Sequence, residues 1–474
     1  MNRREFLGAV GAGAVGAALG AGDGVSAGRR PNLVFVFADQ WRAQAFGFAG
    51  DPNARTPHLD RLAGESLRFT HAVSGCPVCS PYRASLLTGQ YWLTHGIFMN
   101  DVPLRDDAVS FAEALSAGGY DTAYIGKWHL DGRGRSSFIP PERRQGFDFW
   151  RVQECTHDYN NSHYYADDPE PRVWPGYDAE AQTVEAARYI SGAAAGDRPF
   201  ALFLSWGPPH DPYDTAPAAW REGFRPEDIV LRPNVPEASA EEARRVLAGY
   251  YAHCAALDAC MGRLTGTLES SCIADNTLLV FTSDHGDMLG SQGMVKKQKP
   301  FDESIRVPLL ARWPERFGRA GRDAETLVNT PDLMPTVLGL LGVAAPEAVE
   351  GADYSAALLR GETPRPEGAL LACVTPFGEW TRERGGREYR GVRTARHTYV
   401  RGLEGPWLLF DNEADPHQTE NLCGKAAHAE TERALDGLLS RMLAERGDEF
   451  LPGDEYVRRM GYVVDKTGTV AYKP

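Results

Sequence analysis

Residues 32–40 read Asn-Leu-Val-Phe-Val-Phe-Ala-Asp-Gln, and this stretch decides the fold. Its apolar run is unbroken and of strand length. That suits a strand buried on both faces of a parallel sheet, because a half-exposed strand would alternate apolar with polar. Runs of the same kind recur at 122–125, 200–205 and 277–282. Helical patterns lie between them. Thr56-Pro57 offers a cap and a proline at the first helical position, and Leu59, Leu62 and Ala63 follow on one face. Residues 239–268 read as one long amphipathic helix. Strands alternating with helices predict an α/β fold with a mostly parallel central sheet flanked by helices.

The pattern changes after about Ala345. Residues 391–400 and 406–411 read as two strands of an antiparallel sheet, with a terminal helix near 426–446. The expected organisation is a main unit at 29–345 and a smaller C-terminal α+β subdomain at 346–474. Residues 146–177 are rich in aromatic and polar side chains without a clear period. They read as a long inserted loop near a site.

Residues 1–28 read as an address that is removed, not as fold. Asn2-Arg3-Arg4-Glu5-Phe6-Leu7 is a twin-arginine signal, an apolar Gly/Ala-rich run covers 9–20, and Val25-Ser26-Ala27 is a small-residue cleavage site. The apolar run is too short and too glycine-rich for a stable membrane anchor. A periplasmic or secreted protein is expected. The net charge of -14 argues against a nucleic-acid partner, since such proteins carry a basic excess. It is compatible with an anionic small substrate. Eight cysteines, at 76, 79, 155, 254, 260, 272, 373 and 423, leave pairing open.

The chemical motifs follow strands, and in open α/β sheets ligands bind beyond the carboxyl ends of strands. Asp39-Gln40 closes the first run, and Ser283-Asp284-His285-Gly286-Asp287 closes another. Two carboxylates, an amide oxygen and an imidazole on neighbouring strand ends make a candidate cation site, richer in oxygen than in nitrogen. Cys79-Ser80-Pro81-Tyr82-Arg83 precedes a helix through 84–88, closed by Gly89. That places Cys79 at a helix N-terminus, where free amides favour an anion. Read alone, Cys76-Pro-Val-Cys79 also has the spacing of a redox pair, and Cys79 that of a buried turn cysteine. Lys127 and His129, two residues apart after a strand, would share one strand face.

Cys79-Ser-Pro-Tyr-Arg83 followed by Ala-Ser-Leu-Leu-Thr-Gly89 resembles the signature of type I sulfatases, in the alkaline phosphatase-like superfamily. Residues 32–40, Gly126-Lys-Trp-His-Leu130, Pro208-Pro-His-Asp-Pro212, 283–287, 297–308, Asp415-Pro416 and Asn421-Leu422 follow in family order. Tyr82 stands where serine is more usual, and Gln40 and His285 replace Asp and Asn. The resemblance implies an alkaline phosphatase-like fold with the catalytic unit at 29–345. It also implies a sulfuric ester hydrolase whose Cys79 becomes formylglycine through a formylglycine-generating enzyme. Asp39, Gln40, Asp284, His285 and residue 79 would hold Ca²⁺, with Mg²⁺ or Mn²⁺ as alternatives. Arg83 would orient the hydrated aldehyde, while Lys127, His210 and Lys297 would contact sulfate. Lys297 or His210 would protonate the leaving alcohol, and His129 would be the base that releases sulfate and restores the aldehyde. Lys297 is chosen over Lys296 and Lys299 because it stands five residues before Asp302.

Two other functions fit the same residues. One is a phosphodiester or phosphonate monoester hydrolase of the superfamily. The other is a silent glycan-binding protein with an unmodified Cys79. Tyr159, Asn160, Asn161, His163, Tyr164, Tyr165 and Trp174 suit recognition of a sulfated sugar, and equally the packing of a long loop.

Overall fold

A computed structural model describes residues 29–471; the twin-arginine segment and its cleavage site lie outside the described residues. The central sheet is built from β1 (Asn32–Asp39), β2 (Leu67–Val73), β3 (Asp121–Lys127), β4 (Phe149–Gln153), β7 (Phe200–Pro209), β8 (Thr277–Ser283), β9 (Leu309–Arg312) and β10 (Arg322–Asn329). Their order is β10-β2-β9-β8-β1-β7-β3-β4. All neighbours run parallel except β9, which is antiparallel to both β2 and β8.

β1 sits at the middle and every one of its residues is buried. Leu33, Phe35 and Phe37 enter one hydrophobic core, while Val34, Val36 and Ala38 enter the other. That two-sided burial is the physical reason its sequence shows no alternation. Phe35 stacks on Phe203 of β7 at 5.2 Å and meets Phe111 edge-on at 6.3 Å, so ring contacts lock the central strands together. Helix Ala240–Ser270 covers one face, burying Leu247, Tyr250, Leu257, Met261, Leu264 and Leu268.

A separate four-stranded antiparallel sheet is formed by β11 (Ala369–Cys373), β12 (Tyr389–Arg393), β13 (His397–Gly402) and β14 (Gly405–Asp411). Leu370, Val392, Tyr399 and Leu409 of this sheet share a core with Phe35 and Phe37 of β1.

Four expectations need correction. The stretch 391–400 is two strands, because the chain turns at 394–396 with Thr394 N–H donating to the His397 carbonyl. The segment 146–177 is more than a loop: β4 is the edge strand of the central sheet, and β5 (His163–Tyr164) pairs with β6 (Arg172–Val173). Thr56 does precede helix Pro57–Gly64, but its hydroxyl makes no cap; it accepts from Gly47 N–H and donates to Asp60. Helix Cys79–Thr88 begins at the cysteine itself, earlier than expected, and ends at Gly89, whose φ of 65° suits a residue without Cβ.

Candidate active site

Parallel register brings the strand-end motifs together. Ala38 of β1 lies opposite Ser283 of β8, so Asp39 and Asp284 emerge side by side. The junction is tied in both directions. Gln40 N–H donates to Asp284 Oδ1 at 2.9 Å, Asp284 N–H to the Ala38 carbonyl at 3.1 Å, and Trp41 N–H to Ser283 Oγ at 2.8 Å. Gln40 takes a φ of 73°, which turns the chain off the strand end. Gly286 is required here, because a Cβ would stand 2.0 Å from the Glu303 carbonyl.

Asp39, Cys79, Asp284 and His285 form a cluster whose potential ligand atoms all lie within 4.8 Å of one another, each residue being buried. The His285 ring places Nδ1 3.0 Å from the Gly286 carbonyl, so that nitrogen carries the proton and donates. Nε2 then turns its lone pair to the cluster, 3.3 Å from Cys79 Sγ, 3.5 Å from Asp284 Oδ1 and 3.7 Å from Asp39 Oδ1. A bare lone pair facing two buried carboxylates is repulsive, so either a proton or a cation must stand between them. The electrostatics say the same. Burial and the neighbouring Asp39 push Asp284 up to about 6. Burial resists charge on His285, yet Asp284, Cys79 and Asp39 outweigh it and raise the imidazole to about 9. The residues therefore fit a cation, with two carboxylates and one imidazole among its possible donors.

Basic side chains surround this cluster. Arg83 donates through Nη1 to the Lys127 carbonyl at 2.8 Å and Ser205 Oγ at 2.7 Å. Its Nη2 reaches Asp284 Oδ2 at 3.1 Å and Asp39 Oδ2 at 3.3 Å. Lys127, the last residue of β3, donates to Asp39 Oδ2 at 2.7 Å and stands 4.0 Å from Cys79 Sγ. Burial and Asp39 oppose a thiolate at Cys79, but Lys127, Lys297 and His285 win and hold the thiol well below its usual range.

His210 follows β7 and stacks on His157 at 4.5 Å with 8° between the rings. Lys297 Nζ donates to Gln40 Oε1 at 2.9 Å and to His210 Nε2 at 2.8 Å. Gln40 thus directs its carbonyl at Lys297, while its Nε2 donates to Asp287 at 2.6 Å and Tyr213 at 3.1 Å.

His129 does not lie on a strand face. β3 ends at Lys127, and His129 takes a φ of 59° beyond it. Trp128 and His129 N–H groups donate instead to the Gln153 and Glu154 carbonyls. The result still brings His129 to the site, where the Cys79 and Cys155 thiols border its buried ring. Neither ring nitrogen makes a well-aligned hydrogen bond, although Asp101 Oδ1 lies 3.5 Å from Nε2. Arg135 grips the Asp101 carboxylate at 2.9 and 2.8 Å. Glu154 accepts from the Leu130, Asp131 and Gly132 amides and so shapes the turn after His129.

Asp101 and Glu379 had no signal in the sequence, whereas Glu154, Cys155 and His157 lie in the 146–177 segment expected near a site but stand in no motif. Asp287 was inside a quoted motif but unassigned. The aromatic-polar group at 159–174 divides. Tyr159 is buried and its hydroxyl donates to the Asp211 carbonyl at 3.2 Å, buttressing His210. Tyr164 stacks on Trp174 at 3.9 Å and the pair lines a separate cleft with Trp220, Arg188 and Arg263. Tyr165 donates to the Ser136 carbonyl at 2.8 Å.

Comparison with known proteins bears on this arrangement. Residues 31–343 match the family described as Sulfatase, and residues 290–445 match N-sulphoglucosamine sulphohydrolase, C-terminal. The chain is 43% identical over 443 residues to an ulvan-active sulfatase of Formosa agariphila, covering 92% of this chain and 86% of that one. It is 32% identical over 451 residues to an endo-4-O-sulfatase of Bacteroides thetaiotaomicron, covering 83% and 88%. A solved structure in complex with its substrate D-glucosamine-2-N,6-O-disulfate superposes with a TM-score of 0.77 at 25% identity, covering 90% of this chain and 100% of the other.

Proposed function

The chain belongs to the sulfatase family and is a sulfuric ester hydrolase; from that premise we propose that it removes sulfate from a sulfated polysaccharide or its oligosaccharides. The observation that carries the chemistry is the buried convergence of Asp39, Cys79, Asp284 and His285, ringed by Arg83, Lys127, His210 and Lys297. The carbohydrate assignment is supported by relatives whose substrates are ulvan and an amino-sugar disulfate.

Asp39, Asp284, His285 and residue 79 would hold Ca²⁺, or Mg²⁺ or Mn²⁺ in its place, with Gln40 Oε1 as a further donor that also accepts from Lys297. Such an ion offsets sulfate charge, and a formylglycine at residue 79 supplies the nucleophilic oxygen. The chain's own groups do the rest. Arg83 fixes the start of helix Cys79–Thr88 against β1, β3, β7 and the residue after β8 through its four contacts. Lys127 and Lys297 present ammonium groups to sulfate oxygens.

The proton for the leaving alcohol comes from Lys297. An ammonium can only donate, so His210 Nε2 accepts from it, and the His210 proton sits on Nδ1, 2.9 Å from the Asp211 carbonyl. Burial and the charges of Lys297 and His157 hold His210 well below the usual imidazole range, which keeps it neutral. His210 therefore orients Lys297 and has no proton of its own to give at Nε2.

His129 takes the proton whose removal releases sulfate, and Asp101 stabilises the imidazolium so formed. His129→Ala is expected to release about one equivalent of phenol per site from a fast aryl sulfate and then to stall. Stopped-flow absorbance reads the burst. Wild-type turnover would remove His129 from the reaction, and a dead variant without a burst would move it to the attack step.

We assign residues 1–28 to twin-arginine export of a protein already matured by a formylglycine-generating enzyme, to the periplasm or beyond. No helix among the described residues is long and apolar enough to cross a membrane. A panel of sulfated oligosaccharides, with matched aryl sulfates, tests the substrate class. Turnover should be at least about tenfold more efficient on sulfated sugars, since a sugar fills contacts that an aryl group leaves empty. Equal efficiency on both would overturn the carbohydrate assignment.

A further inference from the structure

We propose that Glu379 is a specificity-determining residue that favours singly charged sulfate esters over doubly charged phosphate monoesters. The inference rests on Lys297 standing at the sulfate position. Glu379 comes from the connection between β11 and β12 of the antiparallel sheet, in the short turn Gly378–Trp380. That connection is clamped beside Lys297: Phe377 N–H donates to Gln298 Oε1 at 3.3 Å, and Gln298 Nε2 donates to the Phe377 carbonyl at 3.0 Å. Glu379 Oε1 lies 3.2 Å from Lys297 Nζ, with side-chain exposures of 36% and 3% respectively. The carboxylate is thus the more exposed partner of the pair, and an ester that contacts Lys297 also meets its charge.

Charge pairing at the site gives this position its consequence. Lys127 is matched by Asp39 at 2.7 Å, Lys296 by Asp211, and Lys297 by Glu379. Arg83 is shared between Asp39 and Asp284. Each of these three lysines faces a carboxylate, so a substrate that meets Lys297 meets the Glu379 charge as well. Burial resists ionisation of Glu379, but Lys297 and Lys296 outweigh it and pull the carboxyl down to about 2. It is a full negative charge at any working pH. An ester with two negative charges meets twice the repulsion of an ester with one, within a few ångströms and with little intervening water. The same leaving group on sulfur and on phosphorus should therefore be treated differently, with the difference set by Glu379.

The test uses matured, cation-loaded enzyme with nitrophenyl sulfate and nitrophenyl phosphate at alkaline pH, where the phosphate ester is a dianion. Glu379→Gln keeps the shape and removes the charge. The ratio of kcat/KM for phosphate over sulfate should rise by about tenfold or more. Glu379→Asp keeps the charge, and its ratio should stay within about threefold of wild type. A Glu379→Gln ratio equal to that of wild type, whatever the absolute rates, would overturn the proposal, because a purely structural role moves both substrates together. Wild-type enzyme inactive on every sulfate ester would instead overturn the reading of the site on which the proposal rests.

Discussion

Cys79→Ala is expected to lose sulfatase turnover by more than about 10⁴-fold while leaving the fold in place. The side chain is buried at the start of helix Cys79–Thr88, with Lys127, His285 and Asp39 aimed at its sulfur. Cys155 also lies near Lys127 and His129, but Cys79 is the thiol that belongs to the cluster with Asp39, Asp284 and His285. Alanine removes only the sulfur and leaves the helix contacts of Arg83 untouched, so circular dichroism and the thermal transition should stay near wild type. Cys79→Ser supplies an oxygen at the same place but no aldehyde. Its activity should be nearly as low, and recovery of activity in Cys79→Ser would show that a plain hydroxyl suffices.

Removal of divalent cations should be almost as severe. Asp39 and Asp284 are both fully buried and adjacent, and Arg83 and Lys127 lean on them from one side only. Without a cation one carboxylate must take up a proton or the pair repels, as the upward push on Asp284 to about 6 indicates. Exhaustive chelation is expected to cut turnover by at least about 10³-fold, with recovery on adding Ca²⁺. Asp284→Asn should behave alike and should not recover with added Ca²⁺. Elemental analysis of the purified chain gives a second readout: one bound divalent ion in the wild type and a clear deficit in Asp284→Asn. Activity that survives chelation would argue against a catalytic cation.

What the sequence made legible follows from where each residue sits. β1 was readable because a central parallel strand must be apolar on both faces, and its end marks the site. β2 was not read, because Arg68, Thr70 and His71 are only half buried and dilute the apolar signal. β4 was missed at the sheet edge, where polar Arg151 interrupts the run, and β9 is only four residues long. Asp39, Cys79, Arg83, Lys127, His210, Asp284, His285 and Lys297 converge because all stand at strand ends, at one helix start or in a loop tied to them. Asp101, Cys155 and Glu379 reach the same place through connections with no period. Glu379 lies 82 residues beyond Lys297 in the chain, so only the packing of the second sheet could reveal the pair.

The most direct measurement is the chemical state of residue 79 in active enzyme. Protein co-expressed with a formylglycine-generating enzyme should yield a peptide spanning Cys79-Ser-Pro-Tyr-Arg83 that carries an aldehyde, captured by a hydroxylamine reagent and located by tandem mass spectrometry. Sulfatase activity should rise in proportion to the aldehyde fraction across preparations. Full activity in protein where residue 79 is found only as cysteine would contradict the account.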